Sequence, residues 1–266
     1  MSAPKPKSKL DEVAEIIYKD TDNLVLTEFQ TSRLLRMTRE AESTNFVRAK
    51  KHRMMIYYLS GQYTKAKKEL ISLSPYAKKN IGLYIQLIAI AMRIGAFNEV
   101  SQISSQIDIS TLITSSVGER KELLSNFGAP FCLIGDFEEG QNNMTRIENA
   151  MRDLDYEGFE DIFESSKKIF QVYQSLHLDQ EKVKRLMEIL EDIIALNKIR
   201  VLGAQISLPD NEVLIDLGIN KPIENILKLN DELFDRAFDC NLTNELTALS
   251  INFTPIDLSQ LKYAIY

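Results

Sequence analysis

Apolar residues recur at three- and four-residue intervals along most of this chain, the spacing that lines one face of an α-helix. Leu10, Val13, Ile16 and Ile17 predict a short amphipathic helix over 9–18. Thr27 with Gln30 three positions later matches a capping box, in which the two side chains satisfy orphan amides at a helix start. The helix it opens is expected to reach about residue 42 and to bury Phe29, Leu34, Leu35 and Met37 or Thr38. Ser43 or Thr44 is expected to cap the next, carrying Phe46, Val47, Met54, Tyr57, Tyr58 and Leu59 up to Gly61. Its partner over 63–73 places Ala66, Leu70 and Leu73 on one face, with Pro75 marking the exit. A further pair is predicted over 77–94 and 97–107, and the stretch 83–94 is apolar nearly all round, which implies burial between layers. Weaker helical patterns follow over 110–127 and around Met144, Ile147 and Met151, then a helical pair over 157–176 and 179–196.

After about residue 197 the period shortens. Residues 199–208 are β-branched and locally alternating, Pro209-Asp210-Asn211 supplies turn chemistry, and 213–219 reads as a second strand. Lys221-Pro222 then opens a helix carrying Ile223, Ile226, Leu227, Leu229, Leu233, Phe234 and Phe238, since proline is tolerated in a first turn. Residues 246–254 read as a third strand. The expected organisation is a disordered basic tail over 1–9, an α-helical repeat domain over 10–196, and a small β-β-α-β module over 197–266. Such a module sits at the size floor for independent folding and is expected to cap the helical array.

Gly61-Gln62-Tyr63 and Gly95-Ala96-Phe97 punctuate the two best helix pairs 34 residues apart, each glycine followed by an aromatic two positions on. Gly135-Asp136-Phe137 repeats the punctuation 40 residues later. In this respect the chain resembles the tetratricopeptide (TPR) repeat family, whose unit is a helix-turn-helix of that length. The matching places are Tyr57, Tyr58, Gly61, Tyr63, Ala66 and Leu70 in the first copy, and Tyr84, Leu87, Ala91, Gly95, Phe97 and Val100 in the second. Gly135, Phe137, Gly140 and Met144 match in the third. The family's characteristic tryptophan is missing, and Ile88 stands where a small residue is preferred. The resemblance implies a mainly α fold, a TPR-like solenoid of antiparallel helix pairs; another helical array or a closed bundle also fits the pattern.

Composition changes this picture little. The chain has 266 residues, 44% of them hydrophobic and 26% charged, an ordinary globular balance. Two distant cysteines, Cys132 and Cys240, argue against a disulfide framework and are expected as buried apolar side chains in a reducing, cytoplasmic setting. No stretch has the length and apolarity of a membrane span. The net charge of −6 is unevenly spread: residues 31–80 hold twelve Lys/Arg against three Glu, whereas 136–266 hold 25 Asp/Glu against 13 Lys/Arg. That asymmetry bears on partners.

Catalytic and metal signatures are not found. His52, in RAKKHRMM, reads as part of a solvated helix face, and His177 as a helix C-terminal residue favoured by the dipole. Neither lies at metal-ligand spacing, and phosphate-loop, dinucleotide and nucleophile-elbow patterns are missing. The acidic run over 153–164 reads as a solvated face. No enzyme activity, metal or cofactor is expected.

What remains is a surface. In a TPR-type superhelix the first helix of each unit lines the groove, which assigns Arg48, Lys51, Met55 and Tyr58, then Ile85, Ala89, Met92 and Arg93, to partner binding. A basic rim over a Met/Tyr floor suits an acidic or amphipathic protein segment. The bland alternative makes Met55, Tyr58 and Met92 core. A competing use is nucleic-acid binding through Arg33, Arg36, Arg39, Lys50, Arg53, Lys65, Lys67 and Lys68, together with Arg48 and Lys51. A third is self-assembly, basic half to acidic half.

Overall fold

A computed structural model describes residues 7–19, 24–104, 106, 108, 137–152, 160–208 and 212–256. The expected helix over 110–127, the Gly135-Asp136 turn, the Pro209-Asp210-Asn211 turn, Cys132 and most of the acidic run lie outside them. The described residues form eleven helices and one three-stranded sheet, so the chain is mainly helical. None of these helices is long and apolar enough to cross a membrane. The chain divides into two compact units, Met1–Tyr76 and Ala77–Tyr266, and the expected boundary near residue 197 falls inside the second.

The first unit contains α1 (Lys9–Ile17), α2 (Glu28–Glu40), α3 (Phe46–Leu59) and nearly all of α4 (Tyr63–Ala77). Reciprocal capping boxes open α1, through Ser8 and Asp11, and α2, through Thr27 and Gln30. Asn45, rather than Ser43 or Thr44, caps α3: its Oδ1 accepts from the Arg48 amide at 3.1 Å, while the Thr44 hydroxyl donates back to the Ala41 carbonyl. Pro75 does not end α4; it sits in the last turn, where it has no amide to give the Ile71 carbonyl.

Helix α3 is the centre of this unit. It packs on α1 and α2, and ring contacts and ion pairs tie it to α4. Met54, Met55, Ile56, Tyr58 and Leu59 are all buried on it, spread round its circumference. His52 is buried too, 1% exposed, because α1 brings the Tyr18 ring edge-on to it at 5.8 Å; the expected solvated face is therefore corrected. Phe29 is corrected in the other direction. It is 78% exposed, since Thr31, Leu34, Met37 and Thr38 form the buried stripe of α2 and Phe29 lies on the far side. Leu35 is half-buried.

The second unit contains α5 (Ile81–Arg93), α6 (Phe97–Ser104), α7 (Phe137–Arg152), α8 (Glu160–Ser175), α9 (Gln180–Leu196), β1 (Val201–Ser207), β2 (Leu214–Ile219), α10 (Ile223–Asp239), α11 (Thr243–Leu249) and β3 (Ile251–Pro255). Helix α9 is its hub: Val183, Leu186, Leu190, Ile193 and Ile194 are fully buried, and it packs on α6, α10 and α11. Helix α5 packs on β1.

The sheet order is β1-β2-β3, antiparallel then parallel. Residues 243–249, half inside the expected third strand, are helical instead, giving β-β-α-α-β. Leu242, Leu246 and Leu249 are buried at helical spacing, and Ser250, with φ of 40°, turns the chain out of the helix into β3. Ile215, Leu217, Ile219, Ile251 and Phe253 share the buried face of the sheet. On the opposite face Gly203 pairs with Gly218, and the Ile256 side chain lies over both: a Cβ on Gly218 would stand 2.8 Å from its Cδ1. The outer edge of β3 is covered by α10, where Asn230 Nδ2 donates to the Phe253 carbonyl at 3.0 Å and its Oδ1 accepts from the Phe253 amide at 2.8 Å. That closes an edge otherwise open to another strand.

Candidate functional site

The glycine turns have the same construction. In the first, the amides of Ser60, Gly61 and Gln62 donate to the carbonyls of Ile56, Tyr58 and Tyr57. In the second, those of Ile94, Gly95 and Ala96 donate to Ile90, Met92 and Ala91, every residue shifted by 34. Gly61 and Gly95 have φ of 69° and 72°, the left-handed conformation glycine adopts without a Cβ penalty. The following aromatics, Tyr63 and Phe97, are buried, as are Ala66 and Val100 three residues further on. A related turn joins α8 to α9, but His177 holds the left-handed position there, with φ of 48°. A search for glycine therefore passes over it.

The residues expected to bind a partner divide between the two units. In the first, Arg48 Nη2 stands 2.6 Å from Asp11 Oδ1 on α1. Hydrogen bonds from Ser8, then the Arg48 guanidinium, hold the Asp11 carboxyl well below the usual carboxylate range. Lys51 lies 5.8 Å from the Tyr18 ring centroid, and burial lowers its pKa. Burial likewise pushes the Tyr18 phenol up to about 12. Met55 is 6% exposed and Tyr58 is fully enclosed, its ring stacked on Tyr63 at 6.3 Å, so neither offers surface. In the second unit, Ile85 is buried, while Ala89, Met92 and Arg93 are half-buried along α5.

The basic band also separates. Arg53 is enclosed: its Nη2 donates to Glu42 Oε1 at 2.9 Å, its Nη1 to Glu42 Oε2, and its Nε to Glu69 Oε1 at 3.1 Å. Lys50 shares Glu69 at 3.0 Å and reaches the Ser72 hydroxyl at 3.1 Å. This network joins α3, α4 and the turn before α3, and its charges are balanced inside the unit. Lys65 donates to Gln62 at 2.7 Å and covers the Tyr57 ring, while Lys67 is half-buried and Lys68 exposed. Arg33, Arg36 and Arg39 are exposed on α2, Arg36 beside Glu40 at 3.8 Å. Phe29, which the pattern had assigned to the core, lines one face of that helix with the cations Arg33 and Arg36.

An open cavity of about 590 Å³ lies among α7, α8 and α9, lined by Gln141, Asn142, Thr145, Tyr173, Gln174 and His177. Gln174 bridges to Gln141 at 3.0 Å. The lining offers hydrogen-bonding amides, and the Thr145 hydroxyl donates to the Gln141 carbonyl at 2.9 Å. Among the described residues, no group of three His, Cys, Asp or Glu side chains could hold a metal ion. Cys240, expected in the core, is exposed just past the end of α10.

Sequence reasoning passed over a surface on α10. Its apolar residues form two stripes. Ile226, Leu229, Leu233 and Ala237 are buried, whereas Ile223, Leu227, Phe234 and Phe238 are 50–65% exposed on an adjoining face. The signal was present in the spacing: Ile223, Leu227, Phe234 and Phe238 share a stripe of their own beside that of Ile226, Leu229, Leu233 and Ala237. No protein-family model, no curated protein and no solved structure matches this chain.

Proposed function

We propose that this chain is a non-enzymatic intracellular scaffold, built on a TPR-like array of helix hairpins, that binds a segment of another protein. One observation carries the reading: two left-handed glycine turns stand 34 residues apart, each followed two positions on by a buried aromatic, Tyr63 or Phe97, whereas the same turn hydrogen bonds close α9 and α10 without glycine. A chain that repeats a hairpin in this way presents serial helix faces rather than a reaction centre. In the first unit Arg48 and Lys51 keep some surface and suit an acidic segment, and in the second Ala89, Met92 and Arg93 do so and suit an amphipathic one. Capture from a nuclease-treated lysate by the full tagged chain tests this, with Met92→Asp as the comparison. A saturable protein partner that survives nuclease and is weakened by Met92→Asp supports it. Recovery of nucleic acid alone sinks it.

A second reading has its own support. Phe29 is exposed beside Arg33 and Arg36, the pairing of stacking ring and phosphate-binding cations used for single strands. Against it, Lys50 and Arg53 are neutralised by Glu42 and Glu69.

A further inference from the structure

Helix α10 is amphipathic twice over. One face packs into the second unit through Ile226, Leu229, Leu233 and Ala237. Beside it, Ile223, Leu227, Phe234 and Phe238 follow one another at intervals of four, seven and four, so they fall on a single stripe. Their exposures are 50%, 57%, 53% and 65%. The stripe runs fifteen residues along the axis, roughly 22 Å at the helical rise of 1.5 Å per residue. A contiguous row of four large side chains, two of them phenylalanine, is unlike the scattered apolar residues that any surface carries.

Its border carries charge of one sign. Helical geometry sets Glu224, Asp231 and Asp235 along the flank of the stripe away from the buried face. All three are exposed, and the ion pair on this helix, Arg236 with Glu232 at 2.8 Å, lies further round. Lys228 is the nearest cation, beyond that acidic row. Two copies of α10 packed antiparallel along this stripe would bring their acidic rows together, which opposes an antiparallel homodimer through it. The α2 stripe of a second copy offers Phe29 and then arginines, too little apolar length to cover four residues.

We propose that the exposed face of α10 is a docking site for an amphipathic helix of another protein whose apolar stripe is bordered by lysine or arginine. Burial of the two phenylalanines supplies the affinity, and the acidic flank selects sign and steers encounter. The site lies in the second unit and stands without the repeat groove of the preceding reading.

The test uses the full chain and two synthetic eighteen-residue helices of one pattern, leucine/lysine and leucine/glutamate, followed by fluorescence anisotropy. The leucine/lysine helix is expected to bind at least about tenfold tighter than the leucine/glutamate one, with affinity falling as salt rises. Leu227→Ser with Phe234→Ser should remove that binding without shifting the unfolding midpoint, because both side chains are exposed. Asp231→Asn with Asp235→Asn should weaken it several-fold and flatten the salt dependence, whereas the equal charge change Glu12→Gln with Glu28→Gln in the first unit should not. Equal affinity for the two peptides, no binding of either, or equal loss with the first-unit control overturns the proposal. So does a wild-type dimer in sedimentation that Leu227→Ser with Phe234→Ser dissolves. Failure of lysate capture with success here would sink only the groove reading.

Discussion

Burial of His52 ties the stability of the first unit to pH. Its environment, and then the nearby Arg48 and Lys51 charges, lowers the imidazole pKa from 6.5 to about 4. The unfolded chain therefore takes up a proton between pH 6.5 and 4 that the native state refuses, so stability falls as pH drops through that window. The loss attributable to this group is of order 2 kcal/mol between pH 7 and pH 5. Urea midpoints at the two values, compared with His52→Gln, should show a flatter dependence in the variant; an unchanged slope would remove His52 as the cause. Arg53 carries a different burden, because deleting it leaves Glu42 without its guanidinium and Glu69 with Lys50 alone. Arg53→Ala is expected to cost about 3 kcal/mol by urea unfolding at pH 7. A cost below about 1 kcal/mol would mean that the network relaxes and contributes little.

At the scale of elements, the turns and the sheet edge are the sensitive places. Gly95 combines a left-handed backbone with close approach, since an added Cβ would meet Ile194 Cδ1 of α9 at 2.7 Å. Gly95→Ala should therefore lower stability by about 2 kcal/mol, more than the roughly 1 kcal/mol of the backbone penalty alone. A cost no greater than about 1 kcal/mol, the backbone penalty by itself, would argue that the contact with Ile194 adds nothing. Asn230 guards the edge of β3 with two hydrogen bonds to one residue. Asn230→Ala is expected to cost about 2 kcal/mol and to raise concentration-dependent association by light scattering, since it frees one amide and one carbonyl on an edge strand. Asn230→Asp should restore only the bond from the Phe253 amide.

For the whole molecule, charge placement decides more than charge total. The surplus of basic residues over 31–80 suggests a polyanion surface, but Arg48, Lys50 and Arg53 are paired inside the first unit with Asp11, Glu42 and Glu69. A single-stranded 20-mer is thus expected to bind weakly at ~50 mM salt and negligibly at ~200 mM. Arg33→Glu with Arg36→Glu should abolish whatever binding is seen. Strong binding that instead depends on Lys68 would return the wider band to consideration.

Much of the fold could be read from the chain because it rests on local physics. Helical period, the Thr27 cap, the glycine turns at 61 and 95 and the change of period near residue 197 each depend on a few neighbouring residues, and the structure has all of them. Packing partners were a different matter. Whether His52 and Arg53 face water or carboxylates depends on α1, α4 and the turn before α3, up to some forty residues away. Phe29 and the α10 stripe are exposed because neighbouring helices occupy only one side of each helix, and periodicity alone does not reveal which side. The local pattern set where helices begin, turn and end; tertiary contacts alone determined which charges are neutralised and which apolar residues remain at the surface.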